Sequence, residues 1–407
     1  MAAENLKKEN KLPSEPRIKP NRGNPLGTLE GDEGLVFDTT GQMDIPYLVL
    51  TLLLLAIGLL MLFSASYARA IKDTGNAAYY FVRQTIFGVL GIGAMLFISR
   101  LNYFIFHRLS ILILAGSIVL LMMVLAVGKE VNGAKRWVVI FGQRFQPSEI
   151  AKFAVVLSFS SMMSVWKDKM HTFQYGVLPY ALIMGIIMLM LVLEKHLSAI
   201  LIIVMLGAVM MFLGGTKLRW FVIGGAVLVL FFFYYISSKG YAGERIKTWL
   251  DPYSDAQGNG YQTIQSQYAI GSGGFLGLGF GHSRQKYLYL PEEHNDYIFA
   301  IVCEELGFVG ATGILLLFVL LILRGYWIAI HARDRFGTLT AAGLTTLLAL
   351  QVFLNMGVVS NLLPPTGISL PFFSYGGTAL LMQLGEMGIV LSISRWCTNK
   401  EIRKVFA

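Results

Sequence analysis

The chain alternates long uncharged apolar stretches with short polar breaks. Residues 45–63, IPYLVLTLLLLAIGLLMLF, run nineteen positions without a charge, enough for a helix to cross a hydrocarbon core of about 30 Å. Apolar windows bounded by charges or by Gly and Pro predict ten helices, at 45–66, 81–98, 109–127, 148–165, 174–193, 198–214, 219–237, 296–323, 338–361 and 374–394. Only LEKHLSA (193–199) separates the fifth from the sixth, so the two also read as one broken helix. The short alternating strands of a membrane barrel are not seen. The expected fold class is an all-α polytopic membrane protein, with about ten transmembrane helices and a long extracytoplasmic loop (238–295) between the seventh and eighth.

Composition agrees. Of 407 residues, 55% are hydrophobic and 14% charged, and the mean hydropathy of +0.61 is far above the soluble range. The first 43 residues carry four prolines and six Lys or Arg without helical periodicity, and read as a disordered cytoplasmic tail. Residues 44–396 form the transmembrane domain and 397–407 a cytoplasmic C-terminal tail. The first apolar run starts too late and is too long for a cleaved signal, whose apolar region spans about 7–15 residues. Two cysteines, Cys303 and Cys397, make no disulfide framework. Zinc-protease and serine-hydrolase motifs are absent, and nothing points to nucleic acid.

Basic residues set the expected orientation. With the N-terminus inside, 19 of the 33 Lys and Arg fall on the cytoplasmic side, and both termini share it. Eleven of the other fourteen gather at 128–152, 193–199 and 238–295. Either these cations await an anionic partner, or they are solvated charge on loops that cross regardless.

The densest chemistry lies in YLPEEHNDYIFAIVCEELG (289–307), where Glu292, Glu293, His294, Asp296, Glu304 and Glu305 precede eighteen uncharged residues, Leu306 to Leu323. That run spans about 27 Å as a helix, which places Glu304 and Glu305 at the outer membrane boundary and Asp296 about 12 Å beyond them at headgroup depth. Asn295 or Asp296 suits a helix N-cap; a carboxylate at that level equally suits a general base. Arg284 and Lys286 read either as solvated surface or as cations for a diphosphate. Lys152 either pairs with Glu149 and snorkels outward, or faces the bundle interior to meet a substrate charge. Glu194, Lys195 and His196 interrupt apolar helices. The segment 361–381, containing Ser374, looks re-entrant and requires protein or a wet cavity around it. Six glycines between Gly271 and Gly281 match no nucleotide loop and instead allow sharp bends or close packing.

LFSASY (62–67), NGAKRW (132–137), FQPSEIAKF (145–153), the stretch 251–310 and TGISLPFFSYGGTALL (366–381) together resemble the SEDS family (shape, elongation, division and sporulation), closer to its FtsW/SpoVE branch than to its RodA branch. Asn295 stands where a Thr is commoner, and EKH (194–196) departs from the usual acidic-Pro-Asp pattern. The resemblance implies a peptidoglycan glycosyltransferase that polymerises lipid II in the bacterial cytoplasmic membrane. Asp296 matches the essential loop aspartate, while Arg136, Glu149, Lys152 and the SYGG segment match other positions tied to function. Arg284, Lys286 and His294 complete the expected substrate-binding set. Expected partners are lipid II, a class B penicillin-binding transpeptidase and other divisome membrane proteins. A divalent Mg2+ or Mn2+ held between carboxylates and phosphates is left open. Two rival readings are a lipid II transporter and a non-catalytic divisome scaffold.

Overall fold

The computed structural model describes residues 41–131, 134–140, 143–237, 247–258 and 260–397, together with 18–21 and 24–29. Each of the ten expected windows holds a helix. They are α1 (Ile45–Thr74), α2 (Tyr79–Ile98), α3 (Phe104–Val127), α4 (Pro147–Val165), α5 (Leu178–Leu193), α6 (Leu197–Leu213), α7 (Leu218–Ser237), then, beyond a loop helix α8 (Tyr261–Gly273), α9 (Ile298–Ile330), α10 (Arg335–Val359) and α11 (Gly377–Ser394). Among the described residues, eight helices are long and apolar enough to cross a membrane, and α6 is a shorter apolar one. The chain is a multi-pass membrane protein.

Several boundaries and elements differ from expectation, each for a local reason. α1 continues to Thr74, where Gly75 adopts φ 72° and closes the last turn. α9 runs past Arg324 because that charge is neutralised, its guanidinium lying 2.7 Å from Asp44. Lys195, at φ 55°, divides α5 from α6, so these are two helices. The chain is not wholly α-helical: Lys129–Val131 (β3), Ala134–Ile140 (β4) and Gln143–Phe145 (β5) form an antiparallel meander before α4. Ile18–Asn21 (β1) and Asn24–Leu29 (β2) also pair as a hairpin, within the segment expected to be a disordered tail. The rest of 1–40, and 238–246 of the long loop, lie outside the described residues, as do 398–407.

The packing is inverted relative to a soluble protein. α4 and α10 are the central helices, 78% and 72% buried across their most apolar windows, against 22% for α2 and α3. The central helices are the more polar ones, since their neighbours are protein rather than lipid. Ser158, Ser160, Ser161 and Ser164 of α4 and Thr340, Thr345 and Thr346 of α10 are all buried. The hydroxyls of Ser158, Ser161, Ser164 and Thr346 bond inside the bundle, as in Ser161 with His107 at 2.8 Å and Thr346 with Tyr326 at 2.9 Å.

One end of the bundle is tied by Asp44. Its side chain caps α1 through the Tyr47 amide and pairs with Arg324 of α9, while its own amide donates to Ser394 of α11. The other end carries α8, the turns to Asp296, and the irregular segment 360–376 between α10 and α11. Gly58 of α1 lets that segment come close, for a Cβ there would lie 2.5 Å from the Phe372 carbonyl oxygen.

Candidate active site

The expected site residues fall into three groups. The first answers why carboxylates precede an apolar wall. α9 is broken at Gly307 (φ 65°, ψ −168°), and the glycine-rich strap 274–279 is laid across the break. Leu278 and Gly279 amides donate to the Glu304 and Glu305 carbonyls, while Phe308 and Val309 amides donate to the carbonyls of Gly274 and Phe275. Gly277 and Gly307 touch backbone to backbone: a Cβ on Gly307 would lie 2.2 Å from the Gly277 nitrogen. The glycines thus serve the close packing and sharp bends expected of them.

Glu304 and Glu305 are buried in protein. The Glu304 carboxylate accepts from the Arg284 amide (3.0 Å), the Gln285 amide (3.2 Å) and the hydroxyls of Ser272 and Ser283. Glu305 accepts from Ser64 of α1 (2.6 Å) and pairs with Lys286 (3.0 Å). The Lys286 ammonium also donates to Gly281 O and Ser64 Oγ, which uses all three of its N–H bonds. The expectation that Lys286 meets a diphosphate is therefore corrected: it is a buried structural cation. Arg284 differs, because only its amide is engaged in this cluster. Its side chain is exposed and lines an open depression of about 660 Å3 with His282, Tyr287 and Tyr289.

The second group surrounds Asp296. Helix α9 begins at Ile298 with Tyr297 at its cap position and no side-chain cap, so neither Asn295 nor Asp296 is the N-cap. Asn295 instead donates to Glu292. The Asp296 backbone is fixed by Asn355 of α10, whose Nδ2 donates to Asp296 O and to Ile368 O, both at 2.7 Å. The residue is half-buried, and its carboxylate faces Gly367, where Oδ2 would lie 3.1 Å from a Cβ. Ser374 bonds the Asn295 carbonyl at 2.8 Å and takes the Leu370 amide, while the Tyr375 amide donates to His294 O. Gln84 of α2 donates to Ser374 O and accepts from the Gly376 amide.

His294 is buried, its ring 4.8 Å from Tyr80 and 6.0 Å from Tyr375. Burial holds its proton affinity below the ordinary histidine value, against the pull of Glu293. Glu293, fully buried, is met by Arg69 of α1 at 3.1 Å. Sequence reasoning missed Arg69, Gln84, Tyr80 and Asn355. They lie on other helices, and no spacing ties them to Asp296.

The third group lies under the meander. Lys152 is buried and 2.7 Å from Glu149, which joins the two readings of that residue: it is paired, and it faces the interior rather than snorkelling. Glu386 of α11 is also buried, with Lys152 and Glu149 the charged groups acting on it. Arg136 donates to the Lys195 carbonyl, and His196 lies 3.2 Å from Gln146. Burial pushes the Glu194 carboxyl up to about 8, opposed by Arg136. Burial also pushes His196 well below its ordinary range, with the nearby charges of Arg136 and Lys152 adding to the effect. Among the described residues no group of three or more His, Cys, Asp or Glu is placed to hold a metal ion.

Comparison with known proteins extends this picture over the whole membrane region. The chain is 36% identical over 363 residues, 89% of its own length and 97% of the relative's, to the probable peptidoglycan glycosyltransferase FtsW of Geobacter sulfurreducens. It is 39% identical to stage V sporulation protein E of Bacillus subtilis, over 87% of this chain and 97% of that one. Among solved structures it is similar to the one described as "Structural coordination of polymerization and crosslinking by a peptidoglycan synthase complex" (TM-score 0.74, 29% identity, 87% of this chain and 98% of that one). It is also similar to the rod shape determining protein RodA of Thermus thermophilus (TM-score 0.64, 26% identity, 88% and 98%). The family model that groups FtsW, RodA and SpoVE, described as cell cycle protein, matches residues 45–399. The chain belongs to this family.

Proposed function

We propose that the chain is a peptidoglycan glycosyltransferase that polymerises lipid II. The observation that carries this reading is the setting of Asp296: its backbone is clamped by Asn355, which also holds the neighbouring 360–376 segment, while the residue stays partly exposed. A general base needs that combination of fixed position and access. The Asp296 carboxylate takes the proton of the acceptor sugar hydroxyl as its oxygen bonds to the donor's anomeric carbon. The anomeric C–O bond to the diphosphate breaks, and undecaprenyl diphosphate leaves with the electron pair. Its charge is met by the exposed Arg284 and by the Arg136 and Lys152 group. Lys286 has no part in this, being saturated by Glu305, Ser64 and Gly281.

The orientation that suits this chemistry places both termini in the cytoplasm and the Asp296 end outside, in the bacterial cytoplasmic membrane. A class B penicillin-binding transpeptidase is the fitting partner, and the likeness to a peptidoglycan synthase complex supports it. The test is polymerisation of lipid II by purified protein in detergent, where transport across a bilayer has no meaning. Wild type makes glycan strands, while Asp296→Asn makes none yet keeps its thermal stability. Wild-type-like polymer from Asp296→Asn would overturn the assignment.

A further inference from the structure

The strap and the turn after it expose more apolar surface than a water-facing loop would. Phe275 is 67% exposed, Leu276 77% and Phe280 50%. Their backbone is treated in the opposite way. Leu278 and Gly279 donate into the α9 break, and the Gly274 and Phe275 carbonyls accept from beyond it. Apolar side chains turned outward over internally bonded backbone is what hydrocarbon demands of an irregular segment; water demands neither.

The depth agrees. Arg324, paired with Asp44, marks one edge of the apolar stretch of α9, and Gly307 lies seventeen residues away, about 26 Å along a helix. A core of about 30 Å therefore ends near the strap. The strap also continues the lipid-facing side of α9. The Phe275 ring stacks on Phe308 at 5.9 Å, and Phe308 is itself 63% exposed on a membrane-spanning helix. Tyr287, Tyr289 and Arg284 follow, the residue types that settle at the headgroup level.

We infer that the 275–289 turn is a membrane-seated collar: the Phe275–Phe280 strap rests in the outer edge of the hydrocarbon, and Arg284, Tyr287 and Tyr289 lie among lipid headgroups. The occupant of this surface is the bilayer itself. Glu304 and Glu305 fasten the collar to α9 and, through Ser64, to α1, so its seat fixes the height of the Asp296 turn above the membrane.

The experiment uses full-length protein in phospholipid vesicles, with Cys303→Ser and Cys397→Ser and single nitroxide labels at Leu276→Cys, Phe280→Cys or Tyr253→Cys. Leu276 and Phe280 are independent exposed sites, so loss of one variant leaves the other. Labels at 276 and 280 are expected to collide more with dissolved oxygen than with a water-soluble nickel chelate, and the label at 253 to show the reverse. Chelate access at 276 and 280 equal to that at 253 would overturn the inference. Shielding from both reagents would overturn it too, because a protein surface would then cover the collar. The readout is independent of lipid II and of catalysis.

Discussion

Lys286 Nζ lies 3.0 Å from Glu305 Oε1, with neither side chain more than 3% exposed. Removing one partner of such a pair strands a charge, whereas removing both need not. Lys286→Met is expected to cost about 3–5 kcal/mol, read as a fall in the thermal unfolding midpoint in detergent. Adding Glu305→Gln should recover most of it. A single variant as stable as wild type would show that the pair has no structural weight.

Gly307 has a backbone conformation that is essentially confined to glycine, and a Cβ there would collide with Gly277. Strain of this kind costs about 1–3 kcal/mol, and displacement of the strap adds to it. Gly307→Ala should therefore destabilise the protein and expose 274–279 to proteolysis. Gly313 of the same helix, whose added Cβ meets nothing within 4 Å, is the control and should tolerate Ala.

Asn355 touches Asp296 only through the main chain. Asn355→Ala should lower polymerisation by about 10²-fold, the scale of a misplacement near 1 Å, with apparent affinity for lipid II little changed. An equal loss in binding and turnover would mean that Asn355 contacts the substrate instead.

His294 should give the protein an acid-sensitive slope. Burial lowers its folded-state pKa below 6.5, with Arg69 adding to that shift and Glu293, Glu292 and Asp73 opposing it. Below that value the unfolded chain holds more protons than the folded one, so stability falls as pH drops through 6.5 and levels off once the folded ring also charges. His294→Gln should flatten this slope in unfolding midpoints measured across the range. An unchanged slope would place its origin elsewhere.

The helices were legible because lipid-facing windows are long, apolar and uncharged. The same rule hid α8: YQTIQSQYAIGSG is too polar to register, and only its packing on α9 makes it a helix. The partners of Glu304 and Glu305 were not legible, because nothing local in CEELGFVG announces that a strap about thirty residues upstream fills the break at Gly307. Lys286 looked solvated because its partners, Glu305 and Ser64, stand on two other elements. Asp296 was reached through resemblance; its anchor Asn355 lies on α10, 59 positions away. Lys152, by contrast, was readable from its spacing to Glu149.

The interruption of α9 at Gly307 frees the polypeptide on its two sides from sharing an axis. The short piece aims the Asp296 carboxylate, the long piece answers to its neighbours in the bundle, and Gly274–Gly279 acts as the rivet between them. Because the strap bonds to both pieces, the change of direction at the joint is held in place rather than left slack.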